Sequence, residues 1–185
     1  MTEFLIKPYG GKLIDLWPSK ETLFERSERV KKLPSIQISE RAVCDLELIA
    51  NGSFSPLDRF MGEQDYRNVL HAMRMQDGTL FPLPVTLPVD LSPGISLDSE
   101  VTLRSSKNEA LAILRIEEIY SWDMKEYSRK VLGTEDLRHP LVAELYRWGK
   151  YKVSGRLQMI KSPGWHDFKS LRLSPMQVRE KLISL

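Results

Sequence analysis

The stretch DLELIANGSFSPLDRFMGEQDY, Asp45 to Tyr66, decides how this chain is read. It begins as the end of one helix and finishes as the start of another. Between them sits NGSFSPLDRFMG, with two glycines, one proline and two phenylalanines. Regular structure cannot run through it, yet a solvated loop has no need of Phe54, Leu57, Phe60 and Met61. Gly52 and Pro56 bend the path, and the four apolar side chains supply area to bury, each worth roughly 1.5–3 kcal/mol when fully covered. Two arrangements satisfy this. The segment can wedge helices onto a sheet, or it can plug a core as a self-packed loop.

Upstream, Ser39 is placed to cap a helix whose apolar stripe is Ala42, Val43, Leu46, Ile49 and Ala50. Asn51-Gly52 ends it, as glycine does past a last turn. Downstream, a helix over about Glu63 to Met75 carries Tyr66, Val69, Leu70 and Met73 on one face, and Asp77-Gly78 turns the chain. Nearer the start, KPYGGKLIDL reads as an extended arm with a Gly10-Gly11 bend. SKETLFERSERVKKL reads as a helix with Leu23, Phe24 and Val30 near one face, and Ile36 to Ile38 as a short strand.

From Thr79 the texture becomes β-rich. TLFPLPVTLPVD is broken by three prolines and so predicts an edge or irregular strand. Ser92-Pro93-Gly94 is a turn. SEVTLRS and EALAILRIEEIY predict a hairpin joined through SKNE. SWDMKEYSRKVLG predicts a short helix ending at Gly133, and HPLVAELYRWG another with Pro140 in its first turn. KYKVSGRLQMI predicts a strand kinked at Gly155. LSPMQVREKLISL predicts a helix capped by Ser174 with Pro175 first.

Bulk composition is that of a soluble globular protein: 185 residues, 42% hydrophobic, 28% charged, net charge +2. The charges are interspersed, which does not by itself point to nucleic acid. RWGKYKVSGR, Arg147 to Arg156, is the one basic tilt, read as a solvated face or a ligand surface. The single cysteine, Cys44, excludes an intrachain disulfide and a cysteine zinc site, and is expected as a small buried core residue. No signal peptide and no apolar run of about 18 residues is apparent, so the expectation is a cytoplasmic protein without a membrane span.

Catalytic motifs are absent from the sequence. The histidines His71, His139 and His166 stand apart; there is no H-E-x-x-H, no phosphate loop, no G-x-G-x-x-G and no G-x-S-x-G. His71 is expected at the surface of a helix, and His139 to shape the turn before Pro140. In GWHDF, Asp167 could tune His166 as a base. Adjacent residues seldom face each other, so a turn held by Trp165 and Phe168 is the alternative.

The opening stretch resembles the N-terminal signature of the ATP sulfurylase (sulfate adenylyltransferase) family, D-L-E-x-I-x-x-G-x-[FY]-S-P-L-x-G-F-M followed by D-Y. Asp45, Leu46, Glu47, Ile49, Gly52, Phe54, Ser55, Pro56, Leu57, Phe60, Met61, Asp65 and Tyr66 stand where that pattern asks. Asp77–Asp90, Val131–Val142 and His166–Leu182 are similar to further family segments in the same order. Two positions depart: Tyr9 where the early P-H-G-G has His, and Arg59 where glycine is usual, which would strain the backbone if that position needs a positive φ.

The resemblance implies an α+β fold, a PUA-like β pseudo-barrel with packed helices, as one domain over 1–185. It implies a parent reaction of MgATP and sulfate giving adenylyl sulfate and pyrophosphate. The family's Q-T-R-N-P-x-H catalytic motif matches no residue here, so no catalytic, cofactor-binding or metal-binding residue is carried over. The implied partner is a catalytic domain following residue 185. The signature residues Asp45, Glu47, Gly52, Phe54, Ser55, Pro56, Leu57, Phe60, Met61 and Tyr66 are candidates for contact with it. A different reading is a stand-alone RNA-binding or assembly module, with Trp148, Tyr151 and Trp165 beside the basic stretch.

Overall fold

Secondary structure follows the local signals closely in the computed structural model, which describes residues 5–165 and 167–184. The helices are α1 (Lys20–Arg29), α2 (Glu40–Ala50), α3 (Glu63–Ala72), α4 (Met124–Tyr127), α5 (Pro140–Leu145) and α6 (Pro175–Ile183). The strands are β1 (Ser35–Gln37), β2 (Leu87–Val89), β3 (Glu100–Arg104), β4 (Ala110–Ser121) and β5 (Tyr151–Met159). They form one five-stranded sheet in the order β1-β3-β4-β5-β2. This is an α+β protein.

The chain divides into two compact units. The first gathers the chain up to Arg59 with Val101–Leu114 and the segment from Arg156; the second gathers Phe60–Glu100 and Arg115–Gly155.

In the first unit β1 pairs parallel with β3, Ile36 opposite Leu103. Helix α2 starts where Ser39 accepts the Ala42 N–H, and it buries all five residues of its expected stripe. Asn51 caps it, and Gly52 follows at φ 85°. The β3–β4 turn closes through the Ser105 N–H donating to the Glu109 carbonyl at 3.0 Å. Helix α1 meets its expected face only in part: Val30, its C-cap, is buried and Leu23 half-buried, but Phe24 is exposed. Polar contacts hold it as well, Arg26 donating to the Met159 carbonyl at 2.7 Å and Arg29 to the Gln158 amide oxygen at 3.0 Å.

In the second unit β2, only three residues long and lying at a sheet edge, pairs antiparallel with β5, Leu87 opposite Val153. This is the short edge strand that three prolines leave room for. Helix α3 stops at Ala72, before the expected Met75. Met73 is left-handed at φ 53° and exposed, because the chain turns there into a small hairpin in which Arg74 bridges Leu80 across Gly78. Helix α4, capped by Asp123, continues as a π-helical turn over Ser128–Leu132 and ends at Gly133, φ 71°. Gly155 meets a close approach: a Cβ there would lie 1.9 Å from the Arg115 carbonyl oxygen.

Candidate functional site

The signature stretch is shared between the two units. In the first, it anchors the N-terminal arm. The Ser55 hydroxyl donates to the Gly52 carbonyl at 2.7 Å and accepts the Ile14 N–H at 3.0 Å, and the Leu16 N–H donates to the Ala50 carbonyl at 2.9 Å. Gly52 leaves room for this: a Cβ would stand 2.3 Å from the Ile14 oxygen. Pro56 packs under the arm's Gly10, and Leu57 is buried. Phe54 is half-buried, its N–H bonded to the Leu48 carbonyl.

Two acids of the signature sit on α2. Asp45 lies 3.7 Å from Arg41, and burial raises its carboxyl above the usual range despite that neighbour. Glu47 accepts the Trp165 indole N–H at 2.7 Å. Within this unit one is a partly desolvated carboxyl and the other the anchor of a distant tryptophan.

In the second unit Phe60 and Met61 are fully buried, and their backbone carries the bonds. The Phe60 carbonyl accepts from the Ser154 hydroxyl at 2.6 Å. The Met61 N–H donates to Val85, and its carbonyl accepts the Tyr120 phenol at 2.7 Å. Tyr66 is buried beside Tyr120, ring centroids 5.7 Å apart. Of the three bulky residues Phe54, Phe60 and Met61, Phe54 alone keeps exposed surface. Arg59 is not among the positive-φ residues, so no backbone strain attends the loss of glycine there.

Of the basic stretch, Arg147, Lys150 and Arg156 are exposed, but the fourth cation turns inward. Lys152 is wholly buried, its nitrogen 3.6 Å from the Tyr66 ring centroid, 4.3 Å from Trp122 and 4.9 Å from Tyr127. Trp148 packs on Trp122 and Tyr127, and the Trp122 indole donates to the Gly149 carbonyl at 2.9 Å. Cation–π attraction draws the amine inward. The aromatic run in SWDMKEY was the signal available for this cage, but it does not name the lysine that enters it.

Cys44 is exposed, not a core residue, since it lies off the buried stripe of α2. Partial burial and then the carboxylates Asp45, Glu47 and Glu40 push its thiol pKa up, which disfavours the thiolate that nucleophilic chemistry requires. It borders a hollow of about 230 Å³ lined by Val43, Leu111 and Trp165 with Glu40, Lys107 and Glu109 at its rim. A larger groove, about 350 Å³, lies between the arm residues Tyr9 and Leu13, the signature residues Gly52 and Ser55, and Leu173, Val178 and Arg179.

His71 is half-exposed and pairs with Glu126 at 3.2 Å. His139 stands at the start of α5 without a side-chain cap bond, its Nδ1 buried. His166 lies outside the described residues. Around it, Asp167 pairs with Arg172 at 2.7 Å, Arg172 stacks 4.9 Å from Trp165, and Phe168 is exposed instead of packing on the turn. No group of three His, Cys, Asp or Glu residues suited to a metal ion occurs among the described residues. The arrangement anchors segments and presents apolar surface.

A five-stranded sheet with helices, and an irregular loop holding an N-terminal arm, fit the α+β class that a PUA-like module belongs to. The chain belongs to the PUA-like domain family, which it matches over residues 6–162. It is similar to the sulfate adenylyltransferase of Mycosarcoma maydis, 36% identical over 180 residues, covering 94% of this chain and 31% of that protein. The enzymes of that name from Symbiobacterium thermophilum and Staphylothermus marinus are 35% and 37% identical, with 94% of this chain and 44% and 45% of theirs covered. The chain thus spans 31–45% of the length of these relatives. Among solved structures, the hexameric APS kinase from Thiobacillus denitrificans superposes with a TM-score of 0.74 at 26% identity, over 97% of this chain and 32% of that one.

Proposed function

We propose that this chain is the non-catalytic PUA-like part of a cytoplasmic sulfate adenylyltransferase, supporting a catalytic domain by packing. The observation that carries the reading is the asymmetry of coverage: 93–94% of this chain but 31–45% of each relative. In the parent reaction a sulfate oxygen attacks the α-phosphorus of MgATP. The new bond joins sulfate to that phosphorus, the bond to the β-phosphate oxygen breaks, and pyrophosphate leaves. Such chemistry needs cationic and hydrogen-bonding groups aimed at the developing charge. Those groups, and the MgATP they hold, belong to the catalytic domain in this reading.

The test is to read the gene past codon 185 and assay both products for sulfate-dependent release of pyrophosphate from ATP. The full product is expected to turn over and the 185-residue chain to stay at background. Turnover by the chain alone, or a full product without it, overturns the proposal.

A further inference from the structure

Asn51 alone among the asparagines is followed by glycine; Asn68 and Asn108 precede Val69 and Glu109. An Asn-Gly pair carries its own reaction, because glycine has no side chain to keep its amide nitrogen from the neighbouring side-chain carbonyl. Once deprotonated, the Gly52 nitrogen attacks Asn51 Cγ. The new N–C bond closes an imide ring, the Cγ–Nδ2 bond breaks, and that nitrogen leaves as ammonia. Water then opens the imide at either carbonyl, giving aspartate or isoaspartate and one added negative charge. The fold supplies part of this chemistry. The Asn51 side-chain oxygen, which takes up charge during the attack, accepts the Ser53 N–H at 2.9 Å. A fixed N–H donor stabilises such an oxyanion.

The backbone withholds the nucleophile. Asn51 is helical, at φ −88° and ψ −2°. With ψ near zero the Gly52 nitrogen eclipses the backbone nitrogen of Asn51, whereas an imide ring needs it to eclipse Cβ. The ring therefore closes only if ψ turns. That turn is resisted on both sides: the Asn51 N–H donates to the Glu47 carbonyl at 2.9 Å and the Gly52 N–H to the Ile49 carbonyl at 3.3 Å. The N-terminal arm is bonded across the pair. The Leu16 N–H donates to the Ala50 carbonyl before it at 2.9 Å, and the Ile14 N–H to the Ser55 hydroxyl after it at 3.0 Å. Gly52 is buried against the arm, with the Ile14 carbonyl oxygen 2.3 Å from where a Cβ would stand.

We propose that Asn51-Gly52 is a deamidation site that the docked N-terminal arm holds closed. Release of the arm frees ψ, and the product opposes redocking. Its new carboxylate stands at the negative, C-terminal end of α2, and the isoaspartate route adds a methylene to the backbone that the arm grips. Peptide mass mapping of the 185-residue chain, held in warm and mildly alkaline buffer, tests this. Asn51 in the folded chain is expected to deamidate at least about tenfold more slowly than in urea. Ile14→Pro removes the N–H that Ser55 accepts, and a chain beginning at Trp17 lacks the arm outright. Each is expected to deamidate at least about fivefold faster than the folded parent, while the α2 amides keep their hydrogen-exchange protection. Asn51→Asp, which carries the product's charge, is expected to speed exchange of the Leu16 amide. A folded-state rate equal to that in urea overturns the proposal. So does a rate that neither arm variant raises, or one that rises only where α2 itself loses protection.

Discussion

The side-chain nitrogen of Lys152 stands 3.6 Å from the ring centroid of Tyr66, the last residue of the signature stretch. Trp122 and Tyr127 complete three aromatic faces around it. One strand residue thereby gathers α3, the β4–α4 turn and α4 of the second unit. Desolvated cation–π contacts contribute about 2 kcal/mol or more. The signature tyrosine is thus a packing residue whose ring face matters more than its hydroxyl.

Replacing Tyr66 separates those two properties. Its hydroxyl is buried and has no hydrogen-bond partner among the described residues. Tyr66→Phe keeps the ring and removes an unsatisfied polar group, so stability to urea is expected to hold or rise. Tyr66→Leu removes the face under Lys152 and the pairing with Tyr120, and is expected to lose roughly 2–4 kcal/mol. Equal losses for the two variants would refute the ring-face role.

Gly52 and Gly11 offer a matched comparison. Both have positive φ, 85° and 84°. A Cβ at Gly11 meets open space, whereas one at Gly52 lands 2.3 Å from the Ile14 carbonyl. Gly11→Ala is expected to lose about 1 kcal/mol from backbone strain alone. Gly52→Ala should lose at least about 2 kcal/mol more, because the arm must move off its Ser55 anchor. Chemical denaturation of the two variants reads the difference; similar midpoints would mean that the arm contributes little.

Glu47 holds Trp165 through one charge-assisted bond of 2.7 Å spanning distant parts of the sequence. Glu47→Gln keeps an acceptor and is expected to change little. Glu47→Ala leaves the part-buried indole N–H without its partner and should lose roughly 1–3 kcal/mol. Red-shifted tryptophan emission is the accompanying signature. Unchanged emission in Glu47→Ala would show that Trp165 is placed by other contacts.

What the sequence disclosed was local. The Ser39 cap, the five-residue stripe of α2, the Asn51-Gly52 stop and the Ser174-Pro175 start all depend on neighbours within one or two turns, and all stand where periodicity and capping place them. What stayed hidden depends on distant partners. Lys152 reads as a surface charge until Tyr66, Trp122 and Tyr127 are brought around it. Phe24 reads as a packing residue until α1 docks through Val30, Arg26 and Arg29 and leaves it exposed. Cys44 is adjacent to Val43 and yet faces out, since one position on a helix turns the side chain by about 100°. The signature segment's irregular path was legible from glycine and proline, but not the division of its anchors between the Ile14 arm and the Tyr120 phenol.

Alkaline unfolding should report the second unit's core. Burial, then Glu126, Tyr127 and Asp123, raise the Tyr66 phenol pKa well above its ordinary value; burial, then Tyr66 and Glu118, do the same for Tyr120. An acid whose folded pKa lies above its unfolded one keeps its proton in the native state while the unfolded chain gives it up. The stability it contributes is whole below the unfolded value near pH 10 and is lost as the pH rises from there toward the folded value. Each tyrosine adds a slope of about −1.4 kcal/mol per pH unit in that window. Tyr66→Phe is expected to remove one such slope with no loss at pH 7. Tyr120→Phe should remove the other while losing about 1–2 kcal/mol at pH 7, because the Met61 carbonyl forfeits its 2.7 Å bond. The measurement is the urea midpoint of the three proteins between pH 7 and 11.5. Parallel curves above pH 10 would show that neither phenol is held neutral by the fold.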